Sequence, residues 1–159
     1  MKKGEFGVAG ALAALALLIA GCGGGGGTST TESTESQAPL SKAAFIARAD
    51  AICEVGNRES TDEVTEFAKE NGFANGEPNK EQAEEIVSEV LVPNLERQAD
   101  ELRALGAPAG DEDKVEKILT SLEEKTGEIK KDPLSYFEGN SLEEPSQLEA
   151  AYGLNACGS

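Results

Sequence analysis

KEQAEEIVSEVLVPNLERQADELRAL, residues 80–105, is the stretch that decides the fold. Ile86, Val87, Val90, Leu91, Leu95, Ala99, Leu102 and Leu105 recur at spacings of three and four, which is the period of one helical face. Pro93 falls inside that stripe, where a missing N–H and a ring clash predict a kink or a split. Upstream, Ser41 is a fitting N-cap for a helix over residues 42–70, with Phe45, Ala49, Ile52, Cys53 and Gly56 on one face. Val64 and Phe67 continue that face, while Gly56-Asn57 offers a place to break it in two. Asn71-Gly72 and the run from Asn75 to Asn79 read as loop.

Gly106-Ala107-Pro108-Ala109-Gly110 stops the second helix. A third opens on Asp111-Glu112-Asp113, whose charge suits the positive end of a helix dipole. Its apolar face is Val115, Ile118, Leu119, Leu122 and Ile129; Asp113 with Lys117 and Glu128 with Lys131 have ion-pair spacing on the other side. Ser141-Leu142-Glu143-Glu144 has the form of a capping box for a short helix ending near Tyr152-Gly153. Alternation of the kind that marks strands is nowhere sustained. The expected fold is all-α: a small antiparallel bundle of three to four helices.

The chain starts differently. Lys2 and Lys3 precede an apolar run from Gly7 to Ala20, shorter than the roughly 20 residues a bilayer core requires. The run ends in Leu18-Ile19-Ala20-Gly21-Cys22. That ending resembles the lipobox of bacterial lipoprotein signal peptides, in which an aliphatic residue and small residues precede an invariant cysteine. The resemblance implies that residues 1–21 are removed and Cys22 carries lipid; an ordinary signal peptide cut nearby, or a buried apolar helix, is the competing reading. A Cys-linked diacylglycerol supplies at least two acyl chains, enough for a durable anchor on the extracytoplasmic face of the cell membrane. Residues 23–40, GGGGGTSTTESTESQAPL, cannot bury apolar surface and read as a tether with a span of about 21–25 Å. Residues 41–159 are then the helical domain.

With Cys22 lipidated, Cys53 and Cys157 remain as an even pair in an exported protein, and a disulfide between them is the natural reading. It would close a loop of about 104 residues, worth up to roughly 4.7 kcal/mol of chain entropy. A reactive or metal-binding thiol pair is the alternative, but no CxxC spacing supports it.

Charge and composition exclude more than they identify. Across 159 residues, 30 acidic side chains oppose 14 basic ones, a net of −16 that disfavours nucleic acid and anionic headgroups as partners. Removing residues 1–21 takes away Lys2, Lys3 and Glu5 and leaves −17. The absence of histidine removes His-based triads and every His-ligated metal site. Acidic clusters at Glu84-Glu85 with Glu89, Asp111-Glu112-Asp113, Glu123-Glu124 with Glu128, and Glu143-Glu144 read as solvated helix surface. A calcium loop from Asp111 would need Gly at position 116 and Glu at 122, where the chain has Glu116 and Leu122. No catalytic residue, metal ligand or cofactor is expected.

Two further features bear on partners. Tyr136-Phe137, in a loop after Asp132-Pro133, either covers the end of the bundle or anchors a partner such as another envelope protein. The tail from Ala151 to Gly158, with Ala49-Asp50-Ala51-Ile52-Cys53 earlier, resembles small uncharacterised exported helical proteins of high-GC Gram-positive bacteria. In these a cysteine in the first helix accompanies a Tyr-Gly-Leu…Cys-Gly terminus. That resemblance implies the disulfide and no activity. The function expected is a non-enzymatic, lipid-anchored binding or cell-envelope module; a small-ligand or divalent-cation-binding accessory lipoprotein is the alternative, and a carboxylate-only hydrolase a distant third.

Overall fold

The structure, a computed structural model, describes residues 39–158. The features expected over residues 1–38, including the lipobox, Cys22 and most of the tether, lie outside them. Every regular element among the described residues is helical. The described residues form five α-helices: α1 (Lys42–Glu70), α2 (Lys80–Ile86), α3 (Val92–Ala104), α4 (Glu112–Lys131) and α5 (Glu143–Tyr152).

Local chemistry sets most of the boundaries. Ser41 caps α1 by accepting from the Ala44 N–H at 3.2 Å. The helix runs through Gly56-Asn57 without a break. Asn79 and Gln82 form a reciprocal capping box at the start of α2, each side chain taking the other's backbone N–H at 2.9 Å. Gly153, at φ 109°, closes α5 in the left-handed region that a side chain would strain.

The expected second helix is divided by a π turn, Val87–Leu91, which explains why five α-helices stand where the sequence suggests three to four. Pro93 cannot donate to the carbonyl one turn back and its ring presses on that carbonyl, so the chain widens just before it. The Val92 N–H instead reaches the Val87 carbonyl, five residues back. The extra residue rotates the following face. Val92, Asn94 and Gln98 are buried in α3, whereas Leu91 and Leu95 are half-exposed.

Two apolar clusters result. The larger unites Phe45, Ala49 and Cys53 of α1 with Leu102 of α3, Ile118 and Leu119 of α4, and Tyr152 and Leu154 at the C-terminal end. Each large side chain buried in this way contributes on the order of 1.5–3 kcal/mol. The smaller joins Val87, Val92 and Ile129, flanked by Tyr136 and Leu142. Neither includes Val64 or Phe67: α1 buries residues only as far as Gly56, and Phe67 meets Phe73 edge-on, centroids 6.2 Å apart. Phe67 is thus partnered by a residue close in sequence rather than by the core.

Helix α4 packs on α3 and α5, and α1 on α3. Charged pairs join these neighbours at the surface. Arg103 of α3 reaches Glu123 at 2.7 Å and Glu116 at 2.9 Å, Lys130 of α4 reaches Glu96 at 2.7 Å, and Arg97 reaches Glu59 of α1. Glu128 takes Lys125 at 2.9 Å instead of the expected Lys131. The expected capping box at Ser141 does not form: the hydroxyl donates to the Ser135 carbonyl, and Leu142 precedes α5 without a side-chain cap. A 3₁₀ turn, Pro133–Glu138, lies between, and its return path draws Ser141 away from the helix.

Candidate functional site

Cys53 and Cys157 are joined in a disulfide, with their Cα atoms 5.0 Å apart. The bond sits between two polar clamps. Asp50, one turn before Cys53, accepts from the Ala156 N–H at 2.9 Å. Asn57, one turn after it, donates Nδ2 to the Ala156 carbonyl at 3.1 Å. Spacings of three and four place Asp50, Cys53 and Asn57 on one stripe of α1, so a single face of that helix holds the C-terminal segment. The Cys53–Cys157 pairing expected from the sequence pins the C-terminal end onto the first helix; the two flanking hydrogen bonds to Ala156 are what the sequence did not show.

Beside the disulfide lies a cavity of about 140 Å³. Most elements of the chain converge on it, with Leu91 of the π turn, Leu142 and Cys157 among the lining. Cys53, Asn57 and Ser60 come from α1; Asn94, Leu95 and Gln98 from α3; Leu122 from α4. The 3₁₀ turn adds Tyr136, and α5 adds Pro145, Ser146 and Glu149.

Three polar residues of this lining are buried. Asn94 and Gln98 are 5% and 6% exposed, and Glu149 only 4%. Asn94 Nδ2 donates to the Gly56 carbonyl at 3.1 Å, and Gln98 Nε2 donates to Asn94 Oδ1 at 2.5 Å. Gly56 makes this possible: a Cβ there would fall 2.5 Å from Cδ and Nε2 of Gln98. Glu149 has no such support. No lysine or arginine lines the cavity, and burial alone pushes its carboxyl up to about 7. Glu149 escaped the sequence reading because it looked like one acid among many. Its signal was position: Pro145, Glu149 and Tyr152 are the three buried residues of α5, at helical spacing.

The other residues singled out in the sequence divide. The Tyr136 and Phe137 rings meet edge-on, centroids 5.4 Å apart, within the 3₁₀ turn and not in an irregular loop. Tyr136 is half-buried against the smaller core, whereas Phe137 is 54% exposed. Of the acidic clusters, Asp111 is half-buried and accepts from the Tyr152 hydroxyl at 3.0 Å and from Lys114. The Lys114 bond holds its carboxyl below the usual range, while burial first and Asp111 second push Tyr152 up to about 12. Most of the remaining cluster members are exposed. Among the described residues no three His, Cys, Asp or Glu side chains are placed to hold a metal, and no helix is long and apolar enough to cross a membrane. No protein-family model, curated protein or solved structure matches this chain.

Proposed function

We propose that the chain is a lipid-anchored extracytoplasmic module that works by binding rather than by catalysis. Residues 1–21 act as a lipoprotein signal peptide, Cys22 carries the lipid, and residues 22–40 tether a helical domain spanning 41–159, arranged as an antiparallel bundle. The observation that carries this reading is the Cys53–Cys157 bond. It accounts for two of the three cysteines and leaves Cys22, at the end of a lipobox-like run, as the one available for lipid. A disulfide also suits a compartment outside the cytoplasm.

The binding reading draws on Phe137, whose exposed ring is backed by the packed Tyr136 and so offers an anchor to another envelope protein. Against a carboxylate hydrolase stands the lining around Glu149, which brings no second carboxylate to share acid–base work. A small-ligand-binding accessory lipoprotein is the second reading, favoured by the same cavity.

The anchor is tested by expressing the full chain and a Cys22→Ser variant. The wild type should partition into detergent with a mass raised by lipid, and the variant should lose both properties. Equal partitioning of the two proteins would overturn the assignment.

A further inference from the structure

We propose that the cavity between α1, α3 and α5 is a binding site for a small organic ammonium ion with an apolar body, held through the Glu149 carboxylate and the Gln98 carbonyl. Burying a lone carboxyl is costly unless something compensates its charge. Glu149 is 4% exposed and lacks a cationic partner, so the chain itself supplies no compensation. The amide relay from Gln98 through Asn94 to the Gly56 carbonyl uses donors from both amides and leaves Gln98 Oε1 without a partner among the described residues. Two acceptors are therefore present without a positive group to meet them.

The rest of the lining selects the body of the ligand. Leu91, Leu95, Leu122, Leu142 and Pro145 form apolar walls. The Tyr136 ring adds a face that favours cations. A cavity near 150 Å³ accommodates a molecule the size of benzene, so about 140 Å³ fits a group of six to eight heavy atoms. A hard divalent cation fits poorly, because it requires six or more oxygens and a larger share of charged ligands. A net charge of −16 further concentrates cations around the molecule.

The state of Glu149 gives the site a pH signature. Glu149 and Tyr136 are the only titratable side chains of the lining, Cys53 and Cys157 being bonded to each other, and neither α1, α3 nor α4 adds a charged group to it. With the Glu149 carboxyl near 7, an ammonium ion must displace its proton at low pH and meets an ionised carboxylate at high pH. An alkylammonium group, near 10.4 by analogy with lysine, stays charged throughout.

The test is calorimetric titration of the full, detergent-solubilised chain with n-pentylamine and with neutral n-pentanol, at pH 5.5 and pH 8. Pentylamine should bind more tightly than pentanol at pH 8 and weaken by about 30-fold at pH 5.5. Glu149→Gln should remove both the preference and the pH dependence. Leu95→Trp, which fills the cavity from a half-exposed wall, should block binding while leaving the helical spectrum unchanged. Equal affinity for amine and alcohol, undiminished pentylamine binding by Glu149→Gln, or no saturation up to about 10 mM would overturn the proposal. None of these outcomes bears on the lipid anchor, which the Cys22 experiment reads separately.

Discussion

Gly56 and Gln98 approach so closely that no methyl group fits between them: a Cβ on Gly56 would lie 2.5 Å from the amide of Gln98. The contact lets Asn94 reach the Gly56 carbonyl and fixes the spacing of α1 and α3 beside the cavity. Gly56→Ala must push the Gln98 amide aside and break its bond to Asn94, at a cost of about 1–3 kcal/mol in chemical denaturation. Combining it with Gln98→Ala should recover part of that loss, because the two side chains no longer compete. A double variant that loses the full sum of the two single effects would show that the close approach is not the cause.

Glu149 makes stability fall as pH rises. Its carboxyl lies at about 7 in the folded chain, against 4.5 for an ordinary glutamate, so between those values the folded state holds a proton that the unfolded state has released. The group's contribution is greatest below pH 4.5 and declines by about 3 kcal/mol as pH passes 7. Glu149→Gln should remove that decline and exceed the wild type in stability at pH 8. Parallel pH–stability curves for the two proteins would contradict this.

Thr126 carries a buried hydroxyl with no hydrogen-bond partner among the described residues. Thr126→Val keeps the shape and removes the unsatisfied group, so the melting temperature should rise, corresponding to about 1 kcal/mol. Helix propensity differs little between the two residues and does not account for such a gain.

The disulfide should dominate reversible unfolding. Cys53→Ser with Cys157→Ser releases a constraint across 104 residues, and a loss of about 2–5 kcal/mol is expected. Thiol titration of the denatured, non-reduced wild type should detect neither Cys53 nor Cys157.

Phe137 and Tyr136 should separate in their effects. With Phe137 54% exposed, Phe137→Ala should leave stability within about 0.5 kcal/mol while reducing crosslinking to envelope partners in native membranes. Tyr136→Ala should destabilise the smaller core, and a circular-dichroism melt distinguishes the two outcomes.

The helices were legible because their signals are local. Ser41, the apolar period from Phe45 to Cys53 and Gly153 mark ends and faces without reference to distant residues. Pro93 announced a disturbance, but its resolution by a π turn depends on packing, and that single inserted residue buries Asn94 and Gln98 where the stripe promised Leu95. The cavity was illegible for a related reason. Its lining comes from residues more than a hundred positions apart, and the spacing of Glu149 with Pro145 and Tyr152 marks it as buried only once the inward face of α5 is known.

The Cys53–Cys157 bond also governs how the molecule carries load. If the chain is held through its N-terminal segment and pulled through its C-terminus, tension passes along α1 to Cys53 and crosses the disulfide to the tail. The backbone between the two cysteines, with α2, α3, α4 and α5, lies outside that line of force. Stretching could lengthen only the residues before Cys53 and after Cys157, so the cavity and the Phe137 surface would keep their shape under tension that unravels an unbridged helical domain.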